Sequence, residues 1–192
     1  MAAPGDTKVR RAVYADLERV PDTMVAEIVD GELFASPRPR PRHAVAASVL
    51  GSDLNIPFQQ GRGGPGGWWI LFEPELHFGE DVLVPDIAGW RRDRMPGMPD
   101  EAYFTLAPDW VCEVLSPHNE RHDRVRKMPV YARVGVCHAW LVDPLERTVE
   151  VLRLEAGQWT SVTTYREDQF LKAEPFEAVE IDLLPVWGES RG

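Results

Sequence analysis

The chain is poor in cysteine, in long apolar runs and in positive charge. Only Cys112 and Cys137 occur among its 192 residues. Because each lies in an apolar stretch, we expect two buried thiols rather than a disulfide. No run of about 18 apolar residues is present, so the sequence predicts no membrane-spanning helix. The first residues contain no apolar signal core, which predicts a cytoplasmic protein.

The shortage of positive charge limits how the protein can meet nucleic acid. The chain carries 31 acidic and 21 basic residues, a formal net charge of -10. This balance argues against passive coating of nucleic acid, which needs a positive field. It is compatible with an enzyme whose acidic site first binds Mg²⁺ and then uses that charge to receive phosphate.

Two familiar kinds of site are missing. The glycine-rich segment 61–67 is not followed by the Lys-Ser/Thr pair of a phosphate-binding loop, which indicates a connecting loop. His118 and His122 are four residues apart, but Glu120 does not directly follow the first histidine as it does in the zinc-protease signature. The sequence therefore predicts neither a nucleotide-binding loop nor a zinc helix.

The hydrophobic pattern predicts a single domain over residues 1–192, long enough to bury its own core. Apolar residues at helical spacing predict helices over 8–20, 43–58 and 119–134. Strand-like runs lie at 24–29, 32–35, 68–78, 81–90, 110–115, 136–142, 148–154 and 159–165. We therefore expect an α/β or α+β fold in which helices flank a mixed β-sheet.

Three local patterns predict how the strands pair. The turn pair Asp30-Gly31 predicts a β-hairpin. The runs 110–115 and 136–142 are separated by a helix, which predicts a parallel pair. The alternating runs 148–154 and 159–165 predict an antiparallel meander.

Two acids interrupt apolar, strand-like runs. Asp86 shares a strand face with Val84, and residues two apart share a face in any strand. Glu113 likewise shares a face with Val111 and Leu115. An ionised carboxylate is costly to bury alone. The pair therefore predicts a Mg²⁺ or Mn²⁺ site, unless each acid meets an arginine or lies at a wet strand end.

An ordered series of residues surrounds these acids. Its members are Pro85-Asp86, Glu113-Val114-Leu115-Ser116-Pro117, Asp123, Lys127, Tyr131, Gly135 and Trp140, with Glu27 before Asp30-Gly31-Glu32-Leu33 and His43 before the next helix. From about Tyr14 to Trp187 the series resembles the Uma2 family of restriction-endonuclease-like proteins, within the PD-(D/E)XK nuclease superfamily. The resemblance implies a restriction-endonuclease-like core.

The resemblance also implies a set of catalytic residues. Asp86 and Glu113 would bind Mg²⁺ (or Mn²⁺), with a main-chain carbonyl at Val114 or Leu115 as a further ligand. A bound metal would activate water and neutralise the charge that develops on phosphate. Glu27, from the first hairpin, is a further candidate to bind metal or orient water.

One position departs from the superfamily pattern. Lysine usually stands two residues after the second acid, where this chain has Leu115. The Uma2 pattern implies a lysine on the following helix, here Lys127. Asp123, Lys127 and Tyr131 share a helix face, so a plain surface ion pair between the first two is the alternative. Pro129 predicts a kink close to the lysine.

His43 is the remaining catalytic candidate. At the start of a helix, the helix dipole is expected to lower its pKa and favour a neutral imidazole that acts as base or hydrogen-bond donor. A partly exposed first-turn histidine is the alternative. The basic loop that carries Arg38, Arg40 and Arg42 either contacts phosphate or is simply solvated.

We therefore expect a Mg²⁺-dependent endonuclease that hydrolyses DNA phosphodiester bonds. A homodimer is possible, since a two-fold pair suits two cuts in duplex DNA. The first alternative is a catalytically impaired nuclease fold that acts as a binding module. The second keeps the metal and changes the substrate to RNA or a nucleotide.

Overall fold

A computed structural model of the chain describes residues 10–191. The strands are β1 (Met24–Val29), β2 (Glu32–Pro37), β3 (Trp68–Phe72), β4 (Leu76–Phe78), β5 (Asp81–Leu83), β6 (Ile87–Arg91), β7 (Trp110–Val114), β8 (His138–Asp143), β9 (Thr148–Glu155), β10 (Gln158–Arg166), β11 (Phe170–Leu171) and β12 (Ile181–Asp182). The helices are α1 (Tyr14–Leu17), α2 (Pro41–Leu54), α3 (Glu120–His122) and α4 (Met128–Val134). Single π-helical turns occupy Asn55–Gln59 and Asp123–Lys127, and a 3₁₀ turn occupies Pro185–Trp187.

The strands form two main sheets and one small pair. The larger sheet has the order β10-β9-β8-β7-β6-β3, and the smaller has the order β2-β1-β5-β4. Strands β7 and β8 are parallel, whereas their neighbours pair antiparallel. The predicted mixed sheet, the parallel pair and the β9–β10 meander are confirmed. So is the first hairpin, whose Asp30 and Gly31 both have positive φ.

The predicted hairpin of 68–78 and 81–90 is wrong in detail, because each of its strands is divided between the two sheets. Strands β3 and β6 pair in the larger sheet, whereas β4 and β5 pair in the smaller one. Glu73, with φ of 44°, ends the first strand, and Pro85 interrupts the second because proline donates no ladder hydrogen bond. Asp86 therefore lies in the bend between the two sheets rather than inside a strand.

The helix boundaries differ from the prediction at their N-terminal ends. The entry helix covers only Tyr14–Leu17, and residues 8 and 9 of the predicted segment lie outside the described residues. Helix α2 begins at Pro41, two residues earlier than expected, because proline is favoured in the first helical turn, where its missing N–H has no carbonyl to bond.

The helical segment around Pro129 avoids the interruption that its sequence predicts. A π-helical turn covers Asp123–Lys127, and α4 then starts at Met128 with the proline in its first turn. The missing N–H of the proline therefore falls at the junction of two helical segments rather than within one. The helix ends at Gly135, whose positive φ of 83° terminates it as predicted.

The core lies on both faces of β7. Cys112 and Val114 pack on one face in a cluster that includes the apolar side of α2. Leu115 packs on the other face, in a cluster that includes α4. The cysteines are both free, and the prediction of two buried thiols is wrong for Cys137, which is exposed just before β8. Within residues 10–191, no helix is long and apolar enough to cross a membrane.

Candidate active site

A cleft lies where the two sheets meet. The smaller sheet contributes β1 with Glu27, and the larger contributes β7 with Glu113. The catalytic candidates Glu27, His43, Asp86, Glu113 and Lys127 all line this cleft, as do Val114, Asp123, His118, Arg38 and Arg40. The fold therefore brings these five catalytic candidates together from five separate segments of the chain.

Lys127 lies at the centre of this group. Its Nζ is 2.8 Å from Oε1 of Glu27 and 2.9 Å from Oε1 of Glu113, and it donates a 3.2 Å hydrogen bond to the carbonyl of Val84. The side chain is only 3% exposed, and its contact with Asp123 is a longer 3.7 Å. The contact between Lys127 and Asp123 is thus buried, and the alternative of a surface ion pair is wrong.

The charge of Lys127 is fixed by its neighbours. Burial alone would lower its pKa, but the carboxylates of Glu113 and Glu27 raise that pKa well above its ordinary value. The side chain therefore stays an ammonium group at neutral pH. A permanent cation donates hydrogen bonds and stabilises negative charge, but it does not accept a proton.

Both carboxylate oxygens of Glu27 have protein partners. Oε1 accepts from Lys127 and from the backbone N–H of Val84, at 2.7 Å for the latter. Oε2 lies 3.0 Å from Nε2 of His122. Burial raises the pKa of Glu27, but the charge of Lys127 and the donors around it lower the pKa to about 2. Glu27 is therefore ionised and fully engaged.

Asp86 is held from two sides. Its Oδ2 accepts a 2.6 Å hydrogen bond from the backbone N–H of Val114, and its Oδ1 lies 3.2 Å from Nε2 of His43. Asp86 directly precedes β6, whose Ile87 pairs with Cys112 of β7. Asp86 is thus tied to the main chain of β7 one residue beyond Glu113.

The environment of His43 corrects the expectation of a lowered pKa. Burial does lower the pKa of His43, but the hydrogen bond and charge of Asp86, followed by the charges of Glu113 and Glu73, raise it overall. The direct contact with Asp86 contributes most to this rise. The Nδ1 atom of His43 is buried without a hydrogen-bond partner among the described residues.

Glu113 is the most deeply buried acid of the cleft, at 2% exposure. Its Oε1 accepts a 2.6 Å hydrogen bond from the hydroxyl of Tyr131 as well as the contact from Lys127. Burial raises the pKa of Glu113, Lys127 opposes that effect, and the charges of Asp86 and Glu27 bring the pKa to about 7. The carboxyl of Glu113 thus holds a proton more tightly than an ordinary glutamate does.

Asp123 adds a fourth acid to the group. Burial, only partly opposed by Lys127, raises its pKa well above the ordinary value, and the nearby charges of Glu113 and Glu27 raise it further. The cleft therefore holds more carboxyl groups than one lysine can neutralise. Asp123 and Glu113 limit their mutual repulsion by holding protons more tightly than ordinary carboxyls do, and a bound cation would displace those protons.

The donor set fits a hard divalent cation. Oε1 of Glu113 is engaged, but its Oε2 has no hydrogen-bond donor among residues 10–191. Asp86 and Val114 line the same cleft. The candidate ligands there are therefore Oε2 of Glu113, the lone pairs that Asp86 keeps beside its contacts with Val114 and His43, and the main chain of Val114. No group of three or more His, Cys, Asp or Glu side chains in this part of the chain is arranged to hold a metal. Two carboxylates completed by water are the arrangement that Mg²⁺ commonly accepts.

Two contacts of the site escaped sequence reasoning. The sequence pattern suggests His122 only as a possible zinc ligand, whereas it contacts Glu27 and packs against Phe34 with ring centroids 4.2 Å apart. The pattern sets Tyr131 on the helix face of Lys127 and assigns it no role, whereas its hydroxyl donates to Glu113. The four-residue spacing of Lys127 and Tyr131 was the available signal for the second contact.

Comparison with known families identifies the group to which this arrangement belongs. A family model described as "Uma2: Putative restriction endonuclease" matches residues 6–185, nearly the whole chain. The chain belongs to the Uma2 family. The Uma2 match spans every residue of the cleft, which agrees with the ordered series recognised in the sequence. No curated protein sequence matches the chain.

The fold of this Uma2 protein also resembles a solved structure. The crystal structure of a protein from Anabaena variabilis, described as a putative nuclease of DUF820, superposes with a TM-score of 0.74. The match covers 92% of this chain and 98% of the other, at 23% sequence identity. At that identity the likeness establishes a shared fold.

Proposed function

We propose that this Uma2 protein is a Mg²⁺- or Mn²⁺-dependent endonuclease that hydrolyses DNA phosphodiester bonds in the cleft between its two sheets. The observation that carries the proposal is the buried ammonium of Lys127, 2.9 Å from Glu113, in a cleft that also holds Asp86. The family description, a restriction endonuclease, supports DNA as the substrate.

Asp86, Glu113 and the carbonyl of Val114 are the groups that would hold the ion. When bound, Mg²⁺ supplies positive charge that activates water and stabilises the charge developing on phosphate. Because burial raises the pKa of Glu113, a proton on this carboxyl would have to leave before the carboxylate could hold the ion.

Lys127 provides what Leu115 does not. Leu115 is buried in the apolar cluster on the α4 side of β7, so its position cannot present a cation to the cleft. Lys127 reaches Glu113 from the adjacent helical segment instead. The three N–H groups of its ammonium are engaged by Glu27, Glu113 and the carbonyl of Val84, so Lys127 acts through its positive charge, which stabilises the negative charge that develops in the cleft.

Glu27 and His43 act as positioning residues in this proposal. With both oxygens engaged and a pKa of about 2, Glu27 anchors Lys127 rather than binding metal or accepting a proton. His43 orients Asp86 through its contact with Oδ1. Partners of this kind fix the orientation of a metal-binding carboxylate.

A second candidate function is a binding module that retains the nuclease fold without cutting. The observation that favours it is the lack, within residues 10–191, of a ready cluster of three metal-binding side chains. A Mg²⁺ or Mn²⁺ titration separates the two candidates, because an impaired relative has no metal site at Asp86 and Glu113. The predicted homodimer is compatible with either candidate function. Light scattering during size-exclusion chromatography measures the oligomeric state.

Cleavage of supercoiled plasmid DNA tests the lead proposal. Wild-type protein is expected to nick or linearise the plasmid with Mg²⁺ or Mn²⁺ and to stop when EDTA is added. Parallel assays on single-stranded DNA and RNA examine the other substrates. The variants Asp86→Asn and Glu113→Gln keep the size of each side chain and remove its charge, so both should lose metal-dependent cleavage.

The matched control is Glu146→Gln, which removes the same charge from an exposed loop acid outside the cleft. It should cleave as fast as wild type. Undiminished cleavage by either cleft variant would contradict the proposed mechanism.

A further inference from the structure

Two nitrogen-bearing side chains meet at the mouth of the cleft. Arg40 directly precedes α2, and His118 lies in the turn after β7. Both line the cleft, and Nη2 of Arg40 lies 3.4 Å from Nε2 of His118. A guanidinium only donates, so in any hydrogen bond between the two the imidazole nitrogen is the acceptor.

The charge of Arg40 is not neutralised. Among residues 10–191 no carboxylate lies within ion-pair distance of its guanidinium; its one recorded partner is the imidazole of His118. By contrast Arg38, the other arginine of the cleft, is 3.2 Å from Glu73. In a chain of net charge -10, Arg40 is a local positive site at the entrance to an acidic cleft.

Both side chains are linked closely to the proposed catalytic acids. Arg40 precedes His43 by three residues, a rise of about 5 Å along the helix axis, and His43 contacts Asp86. On the other wall, His118 follows Glu113 by five residues. Successive phosphates on one strand advance by about 3.4 Å along the duplex axis. The rise from Arg40 to His43 is thus of the same order as the spacing between neighbouring phosphates.

The start of α2 adds to the positive potential at this entrance. The helix is 14 residues long and begins directly after Arg40, so its first backbone N–H groups and the positive end of its dipole lie at the same rim. Exposed guanidinium, imidazole N–H and helix N-terminus are all donors that suit a phosphate oxygen.

We propose that Arg40 and His118 form a phosphate-binding subsite, here called the rim subsite, for the nucleotide next to the scissile bond. The cleft then binds a polynucleotide strand through two neighbouring phosphates rather than an isolated nucleotide. The inference rests on the proposed function, because it takes the Asp86–Glu113 cleft to be the nuclease site.

Calorimetric titration with small nucleotides tests the rim subsite without requiring cleavage. The probes are thymidine 3′,5′-bisphosphate and the 3′- and 5′-monophosphates of thymidine, each measured in MgCl₂ and again in EDTA. Wild-type protein should bind the bisphosphate about tenfold or more tightly than the better monophosphate, as expected for one added charge-assisted contact. Arg40→Ala and His118→Ala should reduce that ratio towards one in both buffers.

Arg42→Ala is the matched control. Arg42 is an exposed arginine two residues along the same segment, outside the cleft lining, so the variant makes the same change in net charge and should keep the wild-type ratio. Arg40→Lys keeps the charge without the planar fork and should retain part of the preference.

Two results would overturn the rim subsite. One is a wild-type protein with no preference for the bisphosphate; the other is an Arg40→Ala variant that weakens all three probes equally, as a purely structural Arg40–His118 contact would. Failure of the proposed function looks different. Absence of plasmid cleavage with the bisphosphate preference intact argues against the nuclease and supports the subsite, whereas cleavage without that preference rejects the subsite alone.

Discussion

The Nζ atom of Lys127 lies 2.9 Å from Oε1 of Glu113, and the two side chains are 3% and 2% exposed. Because both side chains are almost completely removed from water, each charge depends on the other. If one of them is deleted, its partner remains buried and uncompensated. Glu27, at 2.8 Å on another side of the same ammonium, extends the dependence to a third residue. The group therefore links the stability of the fold to the chemistry of the cleft.

Replacing Lys127 with methionine should destabilise the protein and abolish cleavage. The change leaves Glu27 and Glu113 without their cation, and removal of one partner from a buried ion pair costs about 3–5 kcal/mol. Urea unfolding followed by circular dichroism gives the free energy, and the plasmid assay gives the activity.

Lys172→Met is the control for that experiment. Lys172 is 56% exposed and lies 3.6 Å from an equally exposed Glu180, so its loss should change stability by less than about 1 kcal/mol. If the two methionine variants unfolded alike, the buried ion pair would not be a major source of stability.

Tyr131→Phe should lower stability through the loss of one hydrogen bond. The tyrosine hydroxyl donates to Glu113 at 2.6 Å in the core, and a buried bond to a charged group is worth about 1.5–3 kcal/mol. Tyr165→Phe removes a hydroxyl that donates to the carbonyl of Lys172 in a solvent-accessible position, and it should cost less. Equal unfolding midpoints for the two variants would contradict the role assigned to Tyr131.

The affinity for the metal should rise as pH rises towards 7, because Glu113 must lose its proton to bind the ion. Its carboxyl has a pKa of about 7, raised by burial and by the charges of Asp86 and Glu27 against the pull of Lys127. A metal must displace that proton, so affinity should fall about tenfold per pH unit below 7 and level off above it. Calorimetry in two buffers of different ionisation enthalpy counts the released protons, and a count of zero below pH 7 would contradict this assignment.

The stability of the metal-free protein should respond to pH in two opposite ways. Because the folded pKa of Glu113 exceeds its ordinary value of 4.5, the folded state holds that proton more tightly, and this residue lowers stability as pH rises from 4.5 to about 7. Glu27 has a folded pKa of about 2. Its stabilisation is present above 4.5 and disappears as pH falls through about 2. Glu113→Gln should flatten the first slope in urea unfolding measured at a series of pH values.

His43→Gln should weaken metal binding without unfolding the protein. The imidazole orients Asp86 at 3.2 Å, and loss of such an orienting partner typically costs about 10- to 100-fold in affinity or activity. His138→Gln is the control, since His138 lies 3.6 Å from Glu174 outside the cleft. Unaltered Mn²⁺ affinity in the His43 variant would remove this residue from the site.

Much of the fold was predictable because its local signals agree with one another. Asp30-Gly31 supplies the positive φ that a tight hairpin needs, and the parallel pair of β7 and β8 follows from a strand–helix–strand order. The division of residues 68–90 between two sheets was not predictable. Period-2 alternation says which residues share a face, but it does not say with which sheet a strand pairs.

The same limit applies to the candidate site. The acids could be found because a carboxylate in an apolar run needs a partner, and the ordered series around them predicted Lys127. The direction of Lys127 could not be found, because the π-helical turn at Asp123–Lys127 that leads into Pro129 is a tertiary adjustment without a sequence signature. The sequence predicts the wrong direction for the pKa of His43 for a related reason, since the contact of His43 with Asp86 joins residues far apart in the chain.

Mn²⁺ binding measured by electron paramagnetic resonance tests the central claim most directly, because it asks whether Asp86 and Glu113 together hold a divalent ion beside Lys127. Wild-type protein should bind Mn²⁺, and Mg²⁺ should compete with it for the same site. Asp86→Asn and Glu113→Gln should each lose it, and Glu146→Gln should retain it. Wild-type protein that binds no Mn²⁺, or cleft variants that bind it as wild type does, would contradict the account.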